Sequence, residues 1–138
     1  MYKRQHGSFA TDVAEIAEVS IENGKIRVHK ITCVVDCGLA VTPDVVRAQM
    51  EGGVMFALTA ALSGRIDLRH GEVVQSNFHD YQILRMDEAP DIDVVIIRSE
   101  DDPTGVGEPS VPPLAPAVAN AVFAATGQRL RSLPLELS

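Results

Sequence analysis

The chain has 138 residues, 46% of them hydrophobic and 22% charged, with 19 acidic against 12 basic side chains and a formal net charge of −7. That length suits one domain hiding roughly 68% of its unfolded surface, and the composition is that of a globular protein, not a disordered one. The acidic balance and the scarcity of aromatics (no Trp, two Tyr, four Phe) argue against nucleic acid or an anionic membrane as the main partner. No apolar run reaches the roughly 18 residues of a membrane span, and no charged segment followed by an apolar one marks a secretory leader.

Residues 1–11 carry no clear period and are expected to be ragged or disordered. From 12 to 21 the pattern alternates, with Ala17, Val19 and Ile21 on one face and Glu18, Ser20 and Glu22 on the other, which reads as a half-exposed strand. Asn23-Gly24 is the preferred pair for a two-residue type I′ turn. A second strand follows over residues 25–36, with Ile26, Val28, Ile31, Val34 and Val35 becoming apolar on both faces. Cys33 and Cys37 are the only cysteines. Four residues apart on an extended chain they stand roughly 13 Å apart, too far for a disulfide, so they read as buried small residues.

Thr42-Pro43-Asp44 has the form of an N-cap, a first-turn proline and a first-turn acid. The helix it opens is expected over residues 43–63, with Val45, Val46, Ala48, Phe56, Leu58 and Leu62 as its apolar surface and Gly64 as its stop. Gly52-Gly53 in its middle costs about 1 kcal/mol per glycine against alanine. Close approach of another backbone or of a ligand is the usual compensation. Gln49 beside them reads from pattern alone as an exposed helix residue. Residues 65–76 form a second hairpin turning at His70-Gly71, residues 77–86 are irregular, and residues 91–98 (DIDVVIIR) are a strand buried on both faces. The last helix spans residues 113–126, with Leu114, Val118, Val122 and Ala125 as core stripe, an alanine-rich small face and Gly127 as stop. The order ββ–α–ββ–β–α implies an α+β fold: a mostly antiparallel sheet of two hairpins and a further strand, covered by two helices.

Chemistry concentrates in the turn before that helix, GVGEPSVPP, where Glu108 sits among Gly105, Gly107 and several prolines. An acid near a helix N-terminus usually caps it, although the same place suits an anion or a ligand approaching the glycines. A phosphate-binding loop is disfavoured, because the lysine and hydroxyl of a P-loop are missing and position 110 is Ser where GxGxxG needs Gly. The four histidines (His6, His29, His70, His79) show no HExxH or Cys/His spacing, so no protein-ligated metal is suggested.

Four stretches carry a resemblance: VAEIAEVS, VVDCGLAVTPDVVRAQMEGGV, QSNFHDYQILRMDEAPDIDV and GVGEPSVPPLAPAVANAVFAATGQRLRSLPL. In this order, and covering nearly everything after residue 12, they resemble the C-terminal part of the molybdopterin-binding large subunit of the molybdenum hydroxylases. This is the xanthine dehydrogenase/aldehyde oxidase superfamily, and the isoquinoline 1-oxidoreductase beta subunits are the nearest branch. The resemblance implies that Glu108 is the active-site base and that Gln49 hydrogen-bonds the pterin. It also implies that Gly52, Gly53, Gly105 and Gly107 run along the cofactor. Molybdenum would be held by the sulfurs of a molybdopterin, in its cytosine dinucleotide form, and not by side chains. The implied reaction hydroxylates an aldehyde or an N-heteroaromatic carbon with water-derived oxygen. Electrons would leave through iron–sulfur clusters on a ferredoxin-like small subunit.

As general base, Glu108 should be partly buried and within hydrogen-bond reach of the reacting oxygen. The remainder of the large subunit is a further implied partner, since the family's subunit is several times longer. On this reading the chain is a fragment of the molybdopterin-binding domain, supplies one wall of the site, is inactive alone and exposes an apolar surface. The compartment is left open by the sequence, the resemblance implying the cytoplasm or the periplasm of a bacterium. The competing reading is a non-catalytic interaction domain that keeps the fold and lacks cofactor. The joint presence of Glu108, Gln49 and the paired glycines favours the enzyme.

Overall fold

The structure, a computed structural model, describes residues 2–137. Three strands open the chain: β1 (Tyr2–Ser8), β2 (Thr11–Glu22) and β3 (Lys25–Asp36). They form a continuous antiparallel meander with β2 in the middle. The expectation of a ragged start is corrected here, since residues 2–8 pair along their whole length with Thr11–Ala17; Met1 lies outside the described residues. Strand β1 is polar and largely exposed, so it lacks the apolar alternation that marks a strand in sequence. Pairing to an already amphipathic neighbour suffices to order it. At the β2–β3 turn Asn23 and Gly24 have φ of 52° and 77°, the left-handed pair of a type I′ turn.

Glu18 pairs with Lys30 and Val19 with Val28, which leaves His29 as a bulge. The extra residue shifts the face parity of β3. Val28 on one side of it and Ile31, Cys33 and Val35 on the other all end up buried. Helix α1 (Pro43–Leu62), the short hairpin β4 (Leu68–Arg69) and β5 (Glu72–Val73), strand β6 (Asp91–Ile96) and helix α2 (Val111–Thr126) complete the chain. The hairpin is a separate two-stranded sheet turning at His70-Gly71, and residues 77–86 are irregular.

Strand β6 pairs in parallel with β3 and closes the sheet order β1-β2-β3-β6. The expectation that its strand is buried on both faces is corrected: only Val94 is buried, and Val95 and Ile97 stand half out. An edge strand in a two-layer fold has one covered face, and its apolar run does not reveal this. The Arg47 guanidinium donates to the Val94 carbonyl, tying α1 to that edge.

The two helices pack on one another, α2 also over β1 and β2 and α1 also against β6. Ala17, Val28 and Ile31 of the sheet meet Val54, Leu58 and Ala61 of α1 and Leu114, Val118 and Val122 of α2 in the larger core. A smaller core joins Val13, Cys33, Val35, Cys37 and Val94 to Val46 and Met50. The core face of α1 is therefore Val46, Met50, Val54, Ala57, Leu58 and Ala61. Val45, Ala48 and Phe56, expected on it, are exposed, because the stripe is rotated towards α2. Thr42 makes no side-chain cap, and the helix ends at Ser63. Helix α2 uses Ala117 and Ala121 where Ala125 was expected, and Gly127 with φ of 76° ends it. Cys33 and Cys37 are buried free thiols.

Candidate active site

Gln49, Gly52, Gly53 and Phe56 recur at the i, i+3, i+4, i+7 spacing that aligns residues along one face of a helix. That stripe of α1 looks away from the sheet towards the turn that starts α2. Between them lies a cavity of about 420 Å³, lined by these four residues and by Gly107, Glu108, Val111 and Pro112. A larger hollow of about 670 Å³ lies elsewhere, beside Asn23, Gly24, Lys25 and Leu135, and holds none of the candidate residues.

The glycines in the site have different reasons to be glycine. A side chain at Gly53 would overlap the Ser110 hydroxyl, so this glycine lets α1 and the start of α2 approach each other. Gly52 meets nothing within 4 Å, and a Cβ at Gly107 would lie 3.9 Å from Gln49 Nε2. These two leave backbone facing open space. The resemblance groups Gly105 with them, but the structure places it elsewhere. It is absent from the cavity lining and is pressed instead on the β1–β2 turn, where a Cβ would stand 3.1 Å from Phe9 Cβ.

Glu108 sits at the cavity rim, its carbonyl accepting the Val111 N–H at 2.9 Å in the turn that begins α2. Its side chain is exposed in this chain, against the expectation of partial burial, because nothing on this side of the sheet reaches over the rim. The loop behind it is pinned from three sides. Thr104 N–H donates to the Cys37 carbonyl at 3.0 Å and Leu39 N–H to the Asp101 carbonyl at 2.9 Å. The Thr11 hydroxyl reaches both Thr104 Oγ1 (2.6 Å) and the Gly105 carbonyl (2.7 Å).

Pattern reading missed three features. Phe56, expected in the core, is 73% exposed on the cavity wall. Its spacing from Gln49 was the available signal. Thr11 and Thr104 meet across most of the chain, and nothing local announces it. Glu15 is fully buried, with neither carboxyl oxygen hydrogen-bonded. Desolvation pushes its pKa up to about 8, the facing Cys33 thiol acting in the opposite direction and more weakly. In turn burial, reinforced by Glu15, pushes the Cys33 thiol far above its ordinary range. The parity of Glu15 with Val13 and Ala17 already placed it on the inner face of β2.

The donors around the cavity fit an organic group with polar edges. The Gln49 amide and the Glu108 carboxylate make no side-chain hydrogen bond to the described residues, and the backbone beside Gly52 and Gly107 is open to close approach. Among the described residues no cluster of three or more His, Cys, Asp or Glu could hold a metal ion. No helix of the described residues is long and apolar enough to cross a membrane.

Comparison with known proteins bears on this geometry. A beta subunit of isoquinoline 1-oxidoreductase from Brevundimonas diminuta is 40% identical over 89% of this chain, which spans 16% of that relative. The aldehyde oxidoreductase structure from Desulfovibrio desulfuricans superposes with a TM-score of 0.75 at 29% identity, over 90% of this chain and 14% of the other. Quinoline 2-oxidoreductase from Pseudomonas putida 86 shares the fold, with a TM-score of 0.81 at 24% identity over 90% of this chain and 17% of that one. The chain thus spans about one sixth of the length of the relatives it matches. The family described as the molybdopterin cofactor-binding domain matches residues 2–90, and the chain belongs to that family, within the molybdenum hydroxylases of the xanthine dehydrogenase/aldehyde oxidase group.

Proposed function

We propose that this chain forms one wall of the active site of a molybdenum-dependent oxidoreductase that hydroxylates an aldehyde or an N-heteroaromatic carbon with water-derived oxygen. The observation that supports this most is the cavity that gathers Gln49, Gly52, Gly107 and Glu108 from opposite halves of the chain. A binding-only domain has no need of an uncommitted carboxylate at such a rim. The names of the relatives, an isoquinoline 1-oxidoreductase subunit and an aldehyde oxidoreductase, motivate the substrate class.

In this reading the Gln49 amide would hold the pterin by hydrogen bonding, and the open backbone beside Gly52 and Gly107 would leave room for the cofactor. Gly53 serves the packing of α1 on α2 that sets the width of the cleft. Glu108 takes the proton from the attacking oxygen at its carboxylate and later returns it to solvent. The remainder of a large subunit covers the rim and excludes bulk water from the carboxylate, which strengthens its electrostatic coupling to the reacting atoms. A molybdopterin held here, in its cytosine dinucleotide form, would supply the two-electron oxidation chemistry, with iron–sulfur clusters on a ferredoxin-like small subunit as the electron acceptors. Relatives named as beta or B subunits accord with such a division of labour.

The test is Glu108→Gln in the complete, cofactor-loaded enzyme. Loss of a general base lowers turnover by about 10²- to 10⁴-fold, while molybdenum content stays at the level of the parent. Near-normal turnover would remove Glu108 from the mechanism.

A further inference from the structure

On the inner face of β2 and β3 the buried positions are apolar except for Thr11 and Glu15. Thr11 is 1% exposed, and its hydroxyl has two neighbours, Thr104 Oγ1 and the Gly105 carbonyl. A carbonyl only accepts, so Thr11 spends its one proton on Gly105, and the Thr104 hydroxyl donates to Thr11. The result is a directed relay, Thr104 to Thr11 to Gly105, with every proton assigned. It is anchored at a second point by the long Gly105 N–H donation to the Phe9 carbonyl at 3.4 Å. Phe9 and Ala10, which make the β1–β2 turn, have φ of 55° and 59°. Two consecutive non-glycine residues in the left-handed region are strained and persist only where their surroundings hold them. Both contacts act on one target, the start of a glycine-rich turn that has little stiffness of its own and carries Glu108 three residues on.

We propose that Thr11 is a positioning residue for Glu108: its buried hydroxyl, fed by Thr104, fixes the carbonyl of Gly105 and thereby the height of the carboxylate over the cavity. The proposal rests on the reading of Glu108 as base. Thr11 itself touches neither cofactor nor substrate.

The complete cofactor-loaded enzyme provides the test, with Thr11→Val (same shape, no hydroxyl), Thr11→Ser (hydroxyl kept) and each combined with Glu108→Gln. Misplacing a reacting group by about 1 Å costs on the order of a hundredfold in rate. Thr11→Val should therefore lower kcat roughly ten- to a hundredfold, with KM little changed and molybdenum content equal to the parent. Thr11→Ser should restore most of the rate, which a purely packing role would not predict. In the Glu108→Gln background Thr11→Val should add nothing further, since the two act on one step. An unchanged kcat in Thr11→Val overturns the proposal, as do loss of molybdenum, failure of Ser to rescue, or an equal loss without the carboxylate. If Thr11→Val does not fold, Thr104→Val removes the donor to Thr11 but keeps the bond to Gly105. It should show a smaller loss of kcat with the same unchanged KM, and no loss there also overturns the proposal. Normal turnover in Glu108→Gln alone would instead defeat the reading of the base, so the two failures are distinguishable.

Discussion

Replacing Glu15 by Gln should abolish a pH dependence of stability that this side chain imposes. Glu15 is completely buried between β2 and the helices, with neither oxygen hydrogen-bonded. Desolvation raises its pKa from 4.5 to about 8 in the folded chain. The folded protein therefore keeps a proton that the unfolded chain releases above pH 4.5. Between pH 4.5 and about 8 the native state binds more protons, so stability falls as pH rises, and the slope vanishes outside that window. Each unit of displacement is worth 1.36 kcal/mol, so the whole window amounts to roughly 5 kcal/mol and the part up to pH 7 to roughly 3 kcal/mol. Asp80 and Asp67 are shifted the other way by hydrogen bonds from the Asn77 and Ser76 backbone and from Arg65 and Gln75, respectively. Their contribution is present at neutral pH and disappears in acid, below this window. Urea unfolding at pH 5, 6, 7 and 8, with the m-value checked for constancy, measures the effect. The difference between parent and Glu15→Gln isolates Glu15, because every other titrating group is common to both. A difference that stays constant from pH 5 to 8 would refute the claim that burial keeps this carboxyl protonated.

Further outcomes follow from the same contacts. Gly52→Ala should stabilise the chain by about 1 kcal/mol through helix propensity while narrowing the cavity and lowering molybdenum content in the complete enzyme. Gly53→Ala should instead destabilise by about 1–3 kcal/mol, because the added methyl meets Ser110; equal melting shifts for the two would contradict the packing described. Phe56→Ser should leave the melting temperature of the chain nearly unchanged, since the ring is mostly in solvent, and a loss above about 2 kcal/mol would return it to the core. Cys33 and Cys37, both buried and both shifted upward, should resist a thiol reagent at pH 8 until denaturant is added. Finally, the purified 138-residue chain should neither retain molybdenum nor oxidise an aldehyde or N-heterocycle; turnover by it alone would defeat the view that it supplies a single wall.

Much of this was legible in the order of residues. The Asn23-Gly24 turn, both long strands of its hairpin, the two helices to within two residues at each end and the turn at His70-Gly71 follow from local chemistry. Local chemistry is what a linear string records. So, too, is the run of matching segments that marked the chain as a member of its family. Other features depended on which surfaces meet. Strand β1 carries no pattern of its own and exists because β2 offers it hydrogen bonds. Phe56 was assigned inward and stands outward, since the rotation of α1 is set by its packing on α2. Periodicity defines a stripe but not the direction in which it points. Gly53 and Gly52 are neighbours with the same propensity, yet one is required by Ser110 and the other faces open space. The relay from Thr104 through Thr11 to Gly105 joins groups that are distant along the chain, and the exposure of Glu108 follows from what fails to cover it. Sequence determined which groups are present and the local shapes they prefer. Tertiary structure decided which of them share a cavity, because proximity between remote residues is a property of packed surfaces and not of spacing along a strand.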